Sequence, residues 1–283
     1  MLPVSTVRTT ELPSGEPVPV LGQGTWGLGE SVHPRKQEIE ALRVGIDLGM
    51  TLIDTAEMYA SGEAEKVVGE AIAGRRREVL ITSKVLPQHA GKRALMIACE
   101  GSLKRLRTDR LDLYLLHWRG AIPLQETLDG FEALVEAGKI RYWGVSNFDV
   151  ADMQELDELV GGSDVATDQV LYNLTRRGIE FNLLPWCRER GIPLMAYSPI
   201  EQGRMLRSPE LQKIGIRHQA TPAQIALAWL LRQEKIIAIP RAGTPKHVRE
   251  NRAALDLKLT AHDLEELDRV FPPPSEERPL EML

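Results

Sequence analysis

The chain has 283 residues, enough for a core of ordinary size and within the range of one or two domains. Its net charge is −5 and it has no basic block, which argues against a nucleic-acid partner. Its apolar runs fall far short of the ~20 residues that cross a bilayer, and residues 1–20 lack the apolar stretch of a signal peptide. We therefore expect a cytoplasmic protein with no membrane partner.

The two cysteines, Cys99 and Cys187, form no Cys-x-x-Cys motif and fall in segments predicted to be helices outside the sheet. This pattern is typical of free thiols in a reducing cytoplasm. No cluster of residues has the spacing of a metal site, so no metal is predicted.

Short apolar runs alternate with amphipathic segments along the chain. Strands are predicted at residues 24–26, 52–54, 79–84, 111–117, 142–146, 167–171, 193–197 and 236–240. Helices are predicted at residues 34–48, 63–73, 92–106, 124–137, 149–159, 179–190, 222–233 and 246–253. Gly49 and Gly138 follow helices where a left-handed residue is favoured, and Thr221-Pro222 and Thr244-Pro245 are helix-start signals.

Eight strand–helix units without a break in composition predict an α/β fold, a (β/α)8 TIM barrel that forms one domain over residues 1–283. Two short runs at residues 4–8 and 18–21, joined by a turn at residues 13–15, predict an N-terminal β-hairpin. The proline-rich residues 272–283 are expected to form a short C-terminal tail on the surface.

One glycine motif invites a different interpretation. Residues 22–27 read Gly-x-Gly-x-x-Gly, and Asp47 follows about twenty residues later, as in a Rossmann dinucleotide site. A Rossmann helix would begin directly after the third glycine, whereas helical periodicity begins here only near Pro34. Asp47 also falls inside a predicted helix rather than at a strand end. We therefore expect these glycines to let the backbone turn at the barrel rim.

Ionisable residues end three consecutive predicted strands: Asp54, Lys84 and His117, with Tyr59 on the loop after the first. In a parallel barrel such residues meet at one mouth. An ammonium beside a phenol is expected to lower the phenol pKa, and a carboxylate is expected to keep that ammonium charged. Such a site can protonate a developing alkoxide, with His117 donating to the same oxygen. A nicotinamide is the natural hydride donor.

Several longer motifs carry a family resemblance. They are Asp54-Thr-Ala-Glu-Met-Tyr59, Leu116-His-Trp118, residues 138–148 around Gly-Val-Ser-Asn-Phe, Ala196-Tyr-Ser-Pro199, and residues 239–251. Together they make the chain resemble the aldo-keto reductases along nearly its whole length, most closely a bacterial branch that reduces methylglyoxal. The resemblance implies a monomer that reduces small aldehydes and 2-oxoaldehydes with NADPH.

The resemblance also implies roles for individual residues. The catalytic set is Tyr59 as proton donor with Lys84, Asp54 and His117. Residues that match carboxamide, stacking and pyrophosphate positions are Ser146, Asn147, Gln169, Tyr197, Ser198 and Ile200. The other cofactor positions are Thr25, Trp26, Asp54, Arg241, Ala242, Thr244, His247, Glu250 and Asn251. The implied substrate pocket comprises Trp26, Tyr59, Leu86, His117 and Trp118.

The sequence departs from the family pattern at three places. Arg241-Ala242 stands where Lys-Ser is usual, and Arg241 can still clamp a phosphate. His247 replaces an arginine, and a histidine is mostly neutral at pH 7. Leu86 replaces a frequent tryptophan, so with the short tail we expect an open pocket.

Two alternatives remain at the level of sequence. One is a barrel lyase or aldolase in which Lys84 forms a Schiff base, which requires a neutral, desolvated lysine. The other is a non-enzymatic subunit that binds a nicotinamide nucleotide on the same fold. The intact set of Tyr59, Lys84 and His117 argues against the second.

Overall fold

The computed structural model describes residues 7–283 and contains eight parallel strands in sequential order around a barrel. This confirms the predicted (β/α)8 fold. Both ends of every barrel strand lie within two residues of the predicted ends. The barrel strands are β3 (Gln23–Gly24), β4 (Leu52–Asp54), β5 (Leu80–Val85), β6 (Leu111–Leu116), β7 (Ile140–Ser146), β8 (Asp168–Leu171), β9 (Leu194–Tyr197) and β10 (Ile236–Ala238).

Backbone hydrogen bonds between the first and last strands close the barrel. The Ala238 amide donates to the Val20 carbonyl at 2.8 Å, and the Gly22 amide donates to the Ala238 carbonyl at 2.9 Å. We call this junction between the first and last strands the seam. Gly24 pairs with Arg241 across it, and a Cβ on Gly24 would lie 2.6 Å from the Ile239 carbonyl oxygen. The glycine motif therefore serves close packing at the seam. Asp47 ends the first helix, as the sequence predicts.

Ten helices of residues 7–283 cover the outside of the barrel. They are α1 (Arg35–Asp47), α2 (Glu63–Ala71), α3 (Lys92–Leu106), α4 (Leu124–Glu136), α5 (Val150–Asp157), α6 (Leu183–Glu189), α7 (Pro209–His218), α8 (Pro222–Leu231), α9 (Pro245–Ala253) and α10 (Ala261–Val270). Gly49 and Gly138 adopt φ of 85° and 67°, and the Thr221 and Thr244 side chains cap α8 and α9. Helices α7 and α10 were not predicted.

The hydrophobic core has two parts. The larger lies between the sheet and the helices and includes both cysteines, which are unpaired and fully buried. The smaller fills the barrel interior, where Leu52, Leu113, Met195 and Ile237 pack together.

A hairpin closes the amino-terminal end of the barrel. It pairs β1 (Thr9–Glu11) with β2 (Pro17–Pro19) and adds Leu12 and Val18 to the interior cluster. The prediction of a hairpin is confirmed, but its first strand begins after residues 4–8. Residues 1–6 lie outside the described part of the chain. Glu16 in the turn receives two hydrogen bonds from Arg141, which fixes the hairpin against β7.

Residues 272–283, the C-terminal segment, lie on the surface, as predicted, and their end reaches Tyr197 at the barrel mouth. Glu277 accepts a hydrogen bond from Asn182 at 2.6 Å, and Glu281 accepts one from Arg176 at 2.5 Å. The Leu283 amide lies 3.4 Å from the Tyr197 hydroxyl. The predicted position on the surface is therefore confirmed, and these contacts, which the sequence did not predict, attach the segment to the rest of the chain.

Candidate active site

Three neighbouring strands deliver the ionisable side chains to the carboxyl end of the barrel. Asp54 is the last residue of β4, Lys84 the penultimate residue of β5, and His117 follows β6 directly. In the parallel register Asp54 pairs with Thr82 and Lys84 pairs with Leu115, so each of the three residues lies two positions further along its strand than the one before. All three are buried.

The Lys84 ammonium is held by three oxygen atoms. Its Nζ lies 2.8 Å from Asp54 Oδ2, 2.9 Å from the Thr55 carbonyl oxygen and 3.0 Å from the Tyr59 hydroxyl. These bonds use all three ammonium protons. Burial alone would lower the pKa of Lys84, but the Asp54 carboxylate and the Tyr59 hydroxyl outweigh it, and the pKa is raised. The side chain is therefore a fixed cation.

Tyr59 begins a short 3-10 helix, Tyr59–Gly62, directly after the loop that follows β4. Burial raises the pKa of Tyr59; Lys84 opposes this effect and Asp54 adds to it, so the pKa ends above its ordinary value. The expected net lowering by Lys84 is therefore wrong for this state of the site. The cause is the cost of burying a phenolate, which exceeds the attraction of the ammonium. Tyr59 holds its proton at neutral pH.

His117 is a neutral side chain at the same mouth. Burial, followed by the charge of Lys84, lowers its pKa to about 3. Its ring stands edge-on to the Tyr59 ring, with centroids 5.8 Å apart. A neutral imidazole keeps one N–H, so His117 can donate a hydrogen bond without carrying charge.

Aromatic and apolar side chains surround these groups. The Trp26 ring is half exposed and lies 6.1 Å from the Tyr59 ring, and the Trp118 ring lies 4.9 Å from that of His117. Leu86 follows β5 and is partly buried. The four groups predicted to line a substrate pocket around Tyr59 thus lie on the loops after β3, β5 and β6.

Asp54 also connects to a second group of polar residues. Gln169 in β8 donates from Nε2 to Asp54 Oδ1 at 2.8 Å, so the two carboxylate oxygens hold two different partners. The Ser146 hydroxyl donates to the Gln169 carbonyl at 2.7 Å. Asn147 donates to Ser146 Oγ at 3.0 Å and accepts from the Tyr197 hydroxyl at 2.9 Å. These four residues form one connected surface beside Asp54.

The segment after β9 has an unusual backbone. We call residues 197–202 the cofactor segment, because it includes the predicted contacts Tyr197, Ser198 and Ile200. Ser198, Glu201 and Gln202 all have left-handed φ, at 46°, 50° and 53°. Non-glycine residues in this region are strained and cluster at functional sites.

The predicted cofactor contacts at the seam differ in how far they are buried. Thr25 is buried, and its hydroxyl donates to the Asp54 carbonyl at 2.9 Å, so this side chain braces β3 against β4. Arg241 is exposed, and among residues 7–283 its guanidinium donates only to the Gly27 carbonyl, at 3.3 Å. Thr244 caps α9 by accepting from the His247 amide at 3.3 Å.

The remaining positions of this segment lie on or beside α9. Ala242 is partly buried, Glu250 is 3.8 Å from the exposed Lys246 ammonium, and Asn251 is buried. The residues present fit a phosphorylated dinucleotide, because the Arg241 guanidinium is exposed, has no acidic partner among residues 7–283, and belongs to the residue four positions before α9 begins. Lys246 adds a cation there that the sequence analysis did not single out.

A further contact at the mouth was also missed. Glu57 lies between Asp54 and Tyr59, and its Oε1 accepts from the Leu86 amide at 2.8 Å and lies 2.9 Å from His89 Nδ1. Glu57 therefore ties the loop that carries Tyr59 to the loop that carries Leu86. The acidic residue inside the Asp54–Tyr59 motif was the available signal.

Comparison with known proteins decides the family. The sequence profile of the Aldo/keto reductase family matches residues 20–271. The chain belongs to the aldo/keto reductase family. This confirms the resemblance inferred from the motifs.

This aldo/keto reductase is similar in sequence to several reductases. It is 51% identical over 271 residues to methylglyoxal reductase YeaE of Escherichia coli (strain K12), with 94% of this chain and 95% of that protein covered. It is 32% identical to glyoxal reductase of Bacillus subtilis (strain 168), with 97% and 99% covered.

Solved structures of the family share its architecture. An aldo-keto reductase from Klebsiella pneumoniae, crystallised with NADPH, is 50% identical, with a TM-score of 0.96 over 99% of this chain and 100% of that one. A structure from the same organism with NADP and acetate gives 0.95 at 50% identity, with 98% and 99% covered. Within residues 7–283 no helix has the length and apolar character needed to traverse a bilayer.

Proposed function

We propose that this aldo/keto reductase reduces small aldehydes and 2-oxoaldehydes such as methylglyoxal to alcohols, with NADPH as the cofactor. The proposal rests mainly on two hydrogen bonds of the Lys84 ammonium, to Asp54 Oδ2 at 2.8 Å and to the Tyr59 hydroxyl at 3.0 Å. The His117 ring lies beside the Tyr59 ring. The relatives named methylglyoxal and glyoxal reductases support the substrate class.

Tyr59 is the proposed proton donor. NADPH, when bound, supplies a hydride to the carbonyl carbon. Tyr59 gives its proton to the carbonyl oxygen, and the neighbouring Lys84 ammonium stabilises the phenolate that remains. His117 donates a hydrogen bond to the same oxygen and thereby stabilises its developing negative charge. Asp54 keeps Lys84 charged and in place.

The cofactor is proposed to lie across the mouth from the seam to the centre. Ser146, Asn147 and Gln169 offer donors and acceptors for a carboxamide, and Tyr197 offers a ring for stacking. At the other end, Arg241 offers a bidentate cation for a phosphate. Two similar proteins crystallised with NADP or NADPH support the choice of cofactor.

The substrate pocket is proposed to select weakly. Trp26 and Trp118 form aromatic walls, and Leu86 leaves room beside them. Small activated dicarbonyls should be the best substrates, because their carbonyl carbon is more electrophilic. A panel of aldehydes and ketones assayed by the loss of NADPH absorbance tests this. A panel in which only one bulky ketone is reduced would contradict the proposal.

The lyase alternative makes a different demand on Lys84. A Schiff-base lysine must be neutral, whereas this one is held as a cation by Asp54. Incubating the protein with methylglyoxal and borohydride, followed by intact mass measurement, separates the two functions. No adduct at Lys84 is expected, and a stoichiometric adduct there would favour the lyase.

We further propose that residues 1–283 form one domain that acts as a monomer in the cytoplasm. The span of the family profile, residues 20–271, supports the single domain. The two buried, unpaired thiols are consistent with a reducing compartment. Sedimentation at several concentrations tests the monomer, and a mass that rises with concentration would contradict it.

A further inference from the structure

Glu201 in the cofactor segment is a buried carboxylate with an unusually complete set of partners. Its Oε1 accepts from Arg176 at 3.0 Å and from Arg204 at 2.9 Å, and its Oε2 accepts from Asn173 at 2.9 Å. Only 4% of the residue is exposed. Burial alone would raise its pKa, but Arg176, Asn173 and Arg204 hold the pKa below its ordinary value. Glu201 is thus a fixed anion that none of the proposed chemical steps uses.

The same partners hold the backbone of the cofactor segment. Asn173 is fully buried and donates from Nδ2 to the Ser198 carbonyl at 2.9 Å, as well as to Glu201. Its Oδ1 accepts from the Thr175 amide at 2.9 Å, which fixes its orientation. A strained backbone conformation persists only where several surrounding contacts hold it in place. Asn173 and Glu201 provide that restraint at both ends of the turn.

Arg176 extends this network beyond the cofactor segment. Its Nη2 and Nε donate to Glu201 at 3.0 Å and 3.2 Å, while its Nη1 donates to Glu281 at 2.5 Å. One guanidinium therefore joins the cofactor segment to the C-terminal segment. About a third of the Arg176 side chain is exposed and 44% of the Glu281 side chain, so the outer half of this link is accessible to solvent.

We propose that Glu201 is a positioning residue for the cofactor segment, and that Arg176 couples it to Glu281 so that an ion pair outside the cofactor site slows NADPH release. The proposal rests on the proposed function, because it requires that residues 197–202 contact the cofactor. When Glu281 holds one side of the Arg176 guanidinium, the other side stays aligned on Glu201. When glutamine replaces Glu281, Arg176 can rotate away from Glu201 and the cofactor segment loses one restraint.

The chain offers a matched control for this link. Glu277 lies four residues before Glu281 in the same C-terminal segment and accepts a similar hydrogen bond, from Asn182 at 2.6 Å. No described contact joins Asn182 to residues 197–202. Glu277→Gln therefore removes the same charge from the same segment without touching the network.

The experiment measures the dissociation rate of NADPH by stopped-flow displacement in the full-length protein. Glu281→Gln should accelerate dissociation about two- to five-fold, as for other partly exposed ion pairs, with an unchanged melting temperature and unchanged KM for methylglyoxal. Glu277→Gln should match the wild type. Glu281→Asp, which keeps the charge, should restore most of the slow rate. High salt should bring the wild type towards the Glu281→Gln rate, because it screens the pair.

A double-mutant cycle completes the test without relying on the buried Glu201. In an Arg176→Gln background, Glu281→Gln should have no further effect on dissociation. Equal rates for wild type and Glu281→Gln would overturn the coupling while leaving the proposed function intact. Equal acceleration by Glu277→Gln would also overturn it. A wild-type protein that binds no NADPH would contradict the proposed function and the coupling with it.

Discussion

The side chain of Lys84 shows how single residues limit the chemistry of this site. Its three ammonium protons go to Asp54, Thr55 and Tyr59, so it has no proton or lone pair left for a substrate. We therefore propose that Lys84 acts on the reaction only through Tyr59. The proposed source of the proton for the substrate is the phenol, whose raised pKa keeps it protonated at neutral pH.

The first prediction concerns this proton. Tyr59→Phe keeps the ring and removes the hydroxyl, so turnover of methylglyoxal should fall by at least ~100-fold. The dissociation constant of NADPH should change little, since the ring remains. Steady-state kinetics and a fluorescence titration measure the two quantities. Turnover within a few-fold of the wild type would remove Tyr59 from its proposed role.

The second prediction concerns His117 and pH. An ordinary histidine changes charge between about pH 5 and 8. Burial, then the charge of Lys84, lowers the pKa of His117 to about 3, so it stays neutral throughout that range. With saturating NADPH, kcat for reduction should be flat from about pH 5 to 8. An inflection in that range that disappears in His117→Gln would show that the imidazole becomes charged.

At the scale of elements, we propose that α9 and the residues before it determine the choice of cofactor. Thr244 caps the amino terminus of α9, and the exposed Arg241 lies three residues before Thr244. Anions are stabilised at such a terminus. The 2'-phosphate of NADPH, which NADH lacks, is the group expected to use it.

The third prediction tests that preference. Arg241→Ala should weaken NADPH binding by roughly tenfold or more, because a charge-assisted hydrogen bond contributes about 1.5–3 kcal/mol. NADH binding should change much less, so the preference should largely disappear. Arg249→Ala removes an exposed cation from the same helix and serves as the control. Equal losses for both cofactors would place Arg241 away from the 2'-phosphate.

The elements that could be predicted from sequence are those that belong to the alternation of short apolar runs with amphipathic segments. All eight barrel strands belong to that pattern. Helices α7 and α10 do not, because they pack on the outside of other helices and bury few side chains, chiefly Leu211, Ile214 and Leu267. Their caps, Ser208 before Pro209 and Thr260 with Asp263, were the signals available.

In the candidate site too, residues at strand ends could be predicted from the sequence, whereas contacts between distant loops could not. Asp54, Lys84 and His117 could be placed at one mouth because strand ends converge in any parallel barrel. The Glu201 network and the Glu57 contact could not, since they depend on which loops meet after folding. The pKa of Tyr59 was predicted in the wrong direction because the sequence reveals its neighbour Lys84 but not the depth of its burial.

At the scale of the whole molecule, α10 is fastened to α7 by a cluster of charges. Asp263 is fully buried and interacts with Thr260, Arg217 and His218. Burial alone would raise its pKa, but the bonds from Thr260 and His218 lower it to about 2. Glu266, held by Lys213 and Arg217, has its pKa lowered to about 2 as well.

The fourth prediction follows from the sign of these shifts. A carboxyl whose pKa is lower in the folded state stabilises the fold above its unfolded pKa, and this stabilisation is lost as pH falls towards the folded pKa. The free energy of unfolding should therefore drop between about pH 4.5 and 2. Asp263→Asn should cost about 2 kcal/mol at pH 7 and flatten that drop. Urea unfolding across pH measures both.

The matching control is Asp47→Asn. Asp47 pairs with Arg75 on the surface, where 61% of its side chain is exposed, and such pairs contribute little. Its unfolding free energy should follow the wild-type curve at every pH. If Asp263→Asn lost as much unfolding free energy at low pH as the wild type, the loss would have to come from other carboxylates.

The closure of the barrel has a consequence for its synthesis. The guanidinium of Arg241 contacts Gly27, which lies 214 residues earlier in the chain, and the backbone pairs that close the barrel, Leu21 with Ala238 and Gly24 with Arg241, span similar distances in sequence. At ribosomal speeds this separation corresponds to roughly 10 to 40 s during which β3 has no neighbour on its outer edge. An unpaired strand edge invites pairing with other chains. The exposed edge of β3 is only two residues long and contains Gly24. The strand that stays unpaired longest during synthesis therefore has very few backbone groups with which another chain could pair.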